Sequence, residues 1–341
     1  MQGKDLSKTQ DLHAGDLGCL AKLKDTTTGD TLGDNNAPIA YEGIIHPEGA
    51  ISFAVEPKTR GDEDKLSSAI SRILEEDPAL HHSRDPRTHE VLLSGTGITH
   101  VEVALARMKK KFGVDCLLKP PKVPYQETIK RKAEATARHK KQTGGHGQFA
   151  ECKISVEPLP SGSGYEFVDK IFGGSISQGY RPAVDKGVQE AAARGIVAGY
   201  QISDFRVTLL DGKEHPVDSS EMAFKVAASQ AFKDCMKTAQ PTLLEPIMNV
   251  EVETSEEFMG DIMGDMNSRR GRVQGMDNAG GNQVIKALVP MAEMLTYSQT
   301  LKSITGGRGS FHMTLDHFEE VPAHIQQKLV AELTEAHKGE E

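Results

Sequence analysis

The sequence predicts an α+β protein built from several domains. At 341 residues the chain is long for one compact domain, and length alone suggests two or three. An order of strand, helix, strand, strand, helix, strand occurs twice, from Ile51 and again from Met248. A stretch with longer strands and two helices separates these repeats. We therefore expect two βαββαβ domains, of the ferredoxin-like type, on either side of a third α+β domain.

A β-rich run from Ile51 to Val55 begins the first repeat. Two amphipathic helices are predicted after this strand. Apolar residues recur on one helical face of 62–76 and again from Val101 to Phe112. The element between the first helix and a strand at Glu90 to Leu93 is not distinct in the sequence. The Pro120-Pro121 pair breaks the chain and marks a domain boundary.

The middle domain should contain long strands at 128–137 and 149–158 and helices at 182–194 and 219–237. Ser219 is the predicted N-cap of the second helix. In the second repeat, apolar and polar residues alternate from Met248 to Glu253, which is typical of a half-buried strand. A last amphipathic helix is predicted beyond Ile325.

Residues 1–46 have the pattern of part of a β-barrel. Short apolar pieces such as Leu17 to Leu23 alternate with turn signals at Gly15, Gly29 and Gly33. The segment is too short to close a barrel and begins abruptly, so we expect a partial module at a truncated N-terminus.

Composition excludes several classes of protein. No apolar run approaches the ~18–20 residues that span a bilayer, and the first residues lack the apolar core of a signal peptide. The four cysteines are scattered without the spacing of a zinc site. We predict a cytoplasmic monomer with reduced thiols and no membrane partner. Because the net charge is −9, any contact with RNA must come from local basic patches.

Two basic clusters and one glycine-rich loop are candidates for such contacts. The larger cluster contains Lys130, Arg131, Lys132, Arg138, Lys140 and Lys141, and the smaller contains Arg269, Arg270 and Arg272. The loop from Gln142 to Gln148 directly follows the larger cluster, and its glycines would let the backbone approach a phosphate–sugar ridge. A solvated charged face and a plain hairpin turn are the alternatives.

Motifs for catalysis are absent from the sequence. It contains no GxxxxGK[ST] loop, nucleophile elbow, HExxH motif or kinase signature. A small-molecule kinase would need a nucleotide loop, which Gly173-Gly174-Ser175-Ile176 does not supply. His81 with His82, and His312 with His317, are expected to be structural or surface residues. We predict no catalytic residue, cofactor or metal, and neither binding nor hydrolysis of GTP by this chain.

Eight segments closely resemble elongation factor G, in order and at consistent spacing over nearly the whole chain. They include HKKQTGGHGQFAECKI at 139–154 and GDIMGDMNSRRGRVQGM at 260–276. The others are 21–32, 51–66, 179–191, 217–233, 243–254 and 289–311. By this resemblance the chain comprises the second half of domain II (1–46), domain III (47–122), domain IV similar to ribosomal protein S5 (123–243), domain V (244–335) and a tail (336–341).

Elongation factor G is a GTP-driven translocase, so the resemblance implies the ribosome and the tRNA–mRNA pair as partners. GTP and Mg²⁺ are implied only for the full-length family, whose GTPase domain precedes domain II. Two loops at the tip of domain IV, at 141–148 and 211–217, resemble those that enter the decoding centre, and domain V resembles the part that contacts the sarcin–ricin region. The implied ribosome-binding residues are Lys141, Gln142, Thr143, Gly144, Gly145, His146, Gly147, His215, Ser268, Arg269, Arg270 and Arg272.

Two departures from the family pattern leave the role open. The usual GMGELH is Gly95-Thr96-Gly97-Ile98-Thr99-His100 in this chain, without the acid, and His146 stands where arginine is usual. One hypothesis is a translocase, active when joined to its GTPase domain. The alternative is an elongation factor G-like paralogue that occupies ribosomes in a regulatory or recycling role without efficient translocation.

Overall fold

A computed structural model describes residues 7–34, 36–46, 49, 51–142 and 147–339. These residues form two compact units, one drawn from 1–51, 56–82 and 93–117 and the other from 52–55, 83–92 and 118–341. Within the described ranges, every helix is too short or too polar to pass through a lipid bilayer.

The first ferredoxin-like domain has the predicted order of elements. They are β1 Ile51–Pro57, α1 Glu63–Glu76, β2 His81–Arg84, β3 Val91–Gly95, α2 Ile98–Phe112 and β4 Cys116–Lys119. Their strands pair in the order β2-β3-β1-β4, which is that of a βαββαβ sheet. Every residue of β2 is exposed, including His81 and His82. This is why the strand has no hydrophobic pattern that the sequence could reveal.

The helices of this domain follow local rules. Leu66, Ile70 and Ile73 of α1 are buried on one face, as their spacing predicts. Helix α2 ends at Gly113, whose φ of 71° is the left-handed conformation that glycine adopts without strain. Lysines fill the last turn of α2, where positive charge is favourable.

The middle domain has one main sheet and two helices. Its elements are β5 Gln126–Ile129, β6 Ala133–Lys141, β7 Gln148–Pro158, β8 Tyr165–Asp169, α3 Arg181–Ala193, β9 Phe205–Lys213 and α4 Glu221–Thr238. The sheet order is β6-β7-β9-β8, and β8 runs parallel to β9.

The single strand predicted at 128–137 is wrong, because the chain divides it into β5 and β6. The backbone N–H groups of Lys130 and Arg131 donate to the carbonyl oxygen of Ala239, at 3.1 and 3.0 Å, and not to a neighbouring strand. The chain therefore leaves the ladder of β5 with β10 (Pro241–Thr254) before it enters the ladder of β6 with β7.

Helices α3 and α4 cover one face of the main sheet. Large buried side chains of this core include Ile154, Phe205, Leu209, Phe224 and Phe232. The two helices approach closely at Gly187, where an added Cβ would lie 2.3 Å from the Lys225 carbonyl oxygen. Burial raises the pKa of the Cys152 and Cys235 thiols to about 12, so both are protonated core residues.

The second ferredoxin-like domain repeats the topology of the first. Its elements are β10 Pro241–Thr254, α5 Met259–Ser268, β11 Arg272–Ala279, β12 Asn282–Pro290, α6 Met291–Met294, α7 Tyr297–Thr305 and β13 Ser310–Glu320. The order β11-β12-β10-β13 is equivalent to that of the first domain, and β5 of the middle domain pairs with β10. Helix α8, Ala323–Gly339, follows β13. The predicted α+β fold class with two ferredoxin-like domains is confirmed.

The segment before β1 does not form the predicted strand fragments. Among its described residues, 7–34, 36–46 and 49, the only bridge joins Asp34 and Ala37. Its apolar side chains have no sheet on which to pack, since Leu17 is 90% and Ile45 95% exposed. Its assignment to domain II stays a prediction.

Candidate nucleic-acid interface

The two predicted tip loops lie at the same end of the middle domain. Strands β6 and β7 form a hairpin whose last described pair is Lys141 and Gln148. Strand β9 pairs with β7 so that Lys213 stands opposite Glu151, close to this hairpin end. Four of the predicted site residues lie outside the described part of the chain, namely Thr143, Gly144, Gly145 and His146.

Asp218 joins the two loops. Its Oδ1 accepts a hydrogen bond of 3.0 Å from the Gly147 N–H, and its carbonyl oxygen accepts one of 2.9 Å from the Phe149 N–H. A Cβ on Gly147 would lie 3.1 Å from Cγ of Asp218. Glycine at position 147 therefore allows a backbone approach that a side chain would disturb.

Ser219 adds a second connection between the loops. Its hydroxyl donates to the Phe149 carbonyl oxygen and accepts from the His215 N–H, both at 2.8 Å. The prediction that Ser219 caps α4 is wrong, because its side chain is engaged in the tip. The N-cap is Ser220, whose Oγ accepts from the Ala223 N–H at 3.2 Å.

The predicted tip histidine is held in a defined orientation. Nδ1 of His215 accepts from the N–H groups of Val217 and Asp218 at 3.4 and 3.3 Å. Nδ1 also lies 3.3 Å from Oδ2 of Asp218, so this nitrogen is engaged within the turn and Nε2 is the ring nitrogen left for an external contact. The side chain is 52% exposed, and its ring meets that of Phe149 edge-on at 6.3 Å.

The larger basic cluster predicted from the sequence is not one patch. Lys130, Arg131 and Lys132 precede β6, whereas Lys140 and Lys141 end it. A nine-residue strand separates the two groups by roughly 30 Å, at about 3.3 Å per residue. Lys130 forms an ion pair of 2.6 Å with Glu320, away from the tip.

Positive charge at the tip comes mainly from two lysines. Arg138 is neutralised by Glu151 at 2.8 Å and lies over the Phe149 ring at 5.6 Å. Lys140 and Lys141 are exposed, and neither forms an ion pair with another described residue. Lys213, which is 67% exposed, adds a third charge near this end, and these lysines are available to meet a phosphate.

A third loop, residues 170–178, is attached to the second tip loop. This third loop was not predicted from the sequence. The Glu214 carboxylate accepts from the Ser177 N–H at 2.8 Å and from its hydroxyl at 2.7 Å. The nearby Ser175 hydroxyl and the Gly212 N–H, which donates to Oδ1 of Asp211 at 2.8 Å, lower the pKa of Asp211. The Gly173-Gly174 pair was the available signal, since it marks a tight loop.

The smaller basic cluster is bound within the second ferredoxin-like domain. Arg270 donates to both carboxylate oxygens of the buried Glu245, at 2.7 and 2.9 Å, and this pairing raises the pKa of Arg270. Arg269 donates to Asp265 at 2.8 Å and stacks on Tyr297. These two arginines are not an exposed basic patch, because their guanidinium groups hold the turn after α5.

The other two residues predicted in this region also have partners in the chain. The Ser268 hydroxyl donates to the Asp265 carbonyl oxygen at 2.7 Å at the end of α5. Arg272 is 55% exposed and pairs with Glu319. A direct contact of Ser268, Arg269, Arg270 or Arg272 with RNA stays a prediction. Over the described ranges, no group of three or more His, Cys, Asp or Glu side chains could hold a metal ion.

The altered motif at the start of α2 forms a closed local network. Nε2 of His100 lies 2.9 Å from Oδ2 of Asp77, the residue that ends α1. Nδ1 of His100 accepts from the Thr96 N–H at 3.2 Å. The histidine therefore joins the two helices of its domain.

Along the chain, one ferredoxin-like domain precedes and one follows the S5-like domain that carries the two-loop tip. Models of three parts of elongation factor G match the chain: domain III at residues 46–120, domain IV at 121–240 and the C-terminus at 242–329. The chain belongs to the elongation factor G family.

Two relatives illustrate the similarity. Elongation factor G of Aquifex pyrophilus is 47% identical over 333 residues, which are 97% of this chain and 48% of that protein. A crystal structure of a Thermus thermophilus protein superposes with a TM-score of 0.78 at 40% identity, covering 90% of this chain and 45% of that one. The chain thus spans about half the length of the relatives it matches.

Proposed function

We propose that this chain is the ribosome-engaging part of an elongation factor G-type translation factor. It binds RNA through the tip of the middle domain and promotes GTP-dependent movement of the tRNA–mRNA pair when joined to a GTPase domain. The main support for this proposal is that Asp218 forms hydrogen bonds with both tip loops. These bonds bring Gly147 and His215 together from distant parts of the chain. The proposal places the protein in the cytoplasm, with ribosomal RNA, tRNA and mRNA as partners.

The chemistry of the tip suits binding without catalysis. Since the chain carries a net charge of −9, affinity for RNA has to come from a few phosphate contacts. Lys140 and Lys141 supply the charge, and the glycines of the first loop allow its backbone to approach the RNA. His215 offers Nε2 and a ring face, which serve in the recognition of a nucleotide.

The decisive experiment uses the GTPase-containing parent protein. The variant His215→Ala should slow movement of tRNA and mRNA on programmed ribosomes while leaving GTP hydrolysis nearly unchanged, because GTP is expected to bind in the separate GTPase domain. The variant His82→Ala removes an exposed histidine of the first ferredoxin-like domain and serves as the control. Equal rates of translocation for the His215 variant and the parent would contradict the proposal.

The phosphate contacts have their own test. The double variant Lys140→Gln/Lys141→Gln should bind ribosomes less tightly, with a log–log salt slope shallower by about 0.7–0.9 for each phosphate that is no longer neutralised. The control Lys130→Gln/Lys132→Gln makes the same change of charge at the other end of β6. Identical losses for both pairs would indicate a general charge effect and not a site at the tip.

The paralogue hypothesis is motivated by the loss of the family's usual acid, since Ile98 stands at its position. His100, which the family pattern retains, contacts Asp77 and Thr96 within the first ferredoxin-like domain. A parent protein that hydrolyses GTP on the ribosome and binds it tightly, but moves no tRNA, would identify the paralogue.

A further inference from the structure

One aromatic side chain near the tip has no role in the core. Phe172 is 96% exposed, whereas Phe205, Phe224 and Phe232 of the same domain are fully buried. A phenyl ring in water loses the burial that makes aromatic residues stabilising in a core. Its position is therefore explained better by a contact outside the domain than by folding.

The loop that carries Phe172 is anchored on both sides. Before it, the Lys170 N–H donates to the Leu209 carbonyl oxygen and the Ile171 N–H to Asp169, both at 2.9 Å. After it, Ile176 is fully buried. The ring is thus presented by a loop whose two ends are fixed.

Two glycines follow Phe172 directly. Gly173 and Gly174 have φ angles of 76° and 75°, in the left-handed region that other residues rarely adopt. This pair turns the chain immediately after the aromatic residue, and a Cβ at either glycine would meet nothing within 4 Å. Because the Phe172 side chain is 96% exposed, the faces of its ring are open to a flat ligand.

The loop lies on the side of the sheet that leads to the second tip loop. Asp169 is in parallel register with Leu209, so Phe172 is three residues further toward the end of β9. At about 3.3 Å per residue this is on the order of 10 Å, which is the level where β9 ends. Glu214 then ties Ser177 of this loop to the turn that contains His215.

The surroundings of Phe172 match single-stranded RNA better than a protein. Lys170 is exposed and has no ion pair with another described residue, and Lys213 is 67% exposed with only a 3.8 Å contact to Glu151. An aromatic ring beside lysines is the arrangement that proteins use to stack an unpaired base and hold its phosphate. A protein interface has an apolar centre, and the glycines that follow Phe172 add no apolar side chain to its ring.

We propose that Phe172 is a stacking platform for an unpaired RNA base beside the braced tip loops. The inference rests on the function proposed above and adds a contact of a different chemistry. A base lies against the open face of the phenyl ring, and its phosphate is met by Lys170 or Lys213. Because stacking is tolerant of base identity, the platform reads the presence of an unpaired nucleotide and not its sequence.

The test uses the whole chain and a 12-nucleotide unstructured RNA that contains 2-aminopurine, whose fluorescence is quenched by stacking on an aromatic ring. Phe172→Ala should weaken binding by roughly 5- to 100-fold, the range expected for one stacked base, and abolish the quenching. Its salt slope should equal that of the parent, because every phosphate contact remains. Phe172→Trp should restore both affinity and quenching. Tyr41→Ala, which removes an aromatic residue that is 77% exposed outside the middle domain, is the control.

The outcomes separate the platform from the wider function. If Phe172→Ala binds the RNA like the parent while Lys140→Gln/Lys141→Gln binds it weakly, the platform is refuted and RNA binding at the tip stands. If the parent binds ribosomes but not the short RNA, the platform is also refuted. A Phe172→Ala variant that binds ribosomes weakly but the RNA normally would assign the ring to a ribosomal protein and overturn the inference. Failure of the parent to bind either would remove the proposed function as well.

Discussion

Replacing Gly147 with alanine should loosen the joint between the tip loops. The added Cβ would lie 3.1 Å from Cγ of Asp218 and 3.2 and 3.3 Å from its carboxylate oxygens, closer than the ~3.5–4.0 Å of ordinary contacts. The carboxylate must move by a few tenths of an ångström, which lengthens the 3.0 Å bond from the Gly147 N–H. A charge-assisted hydrogen bond contributes about 1.5–3 kcal/mol. Since the Asp218 side chain is 31% exposed, we expect the partial loss to be about 1 kcal/mol.

Hydrogen exchange of single amides measures this loss locally. The Gly147 amide donates to the Asp218 carboxylate, so it should exchange about fivefold faster in the Gly147→Ala variant, as a loss of about 1 kcal/mol requires. The Phe149 amide donates to the Asp218 backbone carbonyl, so its exchange should change less. Gly179→Ala is the matched control, because a Cβ at that position meets nothing within 4 Å. Affinity for RNA should fall in parallel, since the first loop is no longer held against the second.

A double-mutant cycle tests whether the Asp218 carboxylate is the cause of the effect. With Asp218→Ala in the background, the alanine at position 147 has no carboxylate to displace, so its effect on exchange should vanish. An effect of Gly147→Ala that is equally large with and without the Asp218 carboxylate would show that the steric argument is wrong.

Three further predictions concern stability. Arg270→Gly should destabilise the second ferredoxin-like domain by about 3 kcal/mol in urea unfolding, because it leaves the buried Glu245 without its cation. Arg270→Ala should cost about 1 kcal/mol more, since φ is 59° at this position. Hydrogen bonds to Glu319 and the adjacent aspartate raise the pKa of His317, so they stabilise the fold at low pH. That contribution should decline as pH rises from about 6.5 through the raised pKa, and His317→Gln should remove this part of the pH dependence of thermal unfolding. Amides in the described part of 7–46 should exchange faster than those of α4, because this segment has no strand to protect them.

The two ferredoxin-like domains were predictable because their signals are local. The apolar spacing of α1 and the alternation at the start of β10 follow from the geometry of a helix and of a strand. Strand β2 escaped detection because all its side chains face solvent, and the division of β5 from β6 depends on hydrogen bonds to Ala239 from far along the chain. Sequence pattern does not report such partners.

At the tip, too, the sequence did not reveal which residues contact one another. Resemblance pointed to the loop at 141–148 and to His215, and the structure brings both to one end of the sheet. It did not point to Asp218 or Ser219, whose side chains connect the loops, or to the attached loop that carries Phe172. Arg269 and Arg270 looked like a basic patch because charge is visible in a sequence and its partners are not.

The sequence by itself determined the order of elements, the repeated βαββαβ pattern and the family, because these depend on residue types at short spacing. Only the tertiary structure decided which charges are free and which loops meet. Arg270 is neutralised by a glutamate 25 positions away, and Gly147 is bonded to an aspartate 71 positions away. Contacts over such separations are set by how the sheets and helices pack, since a hydrogen bond requires its two atoms within about 3 Å regardless of their distance along the chain.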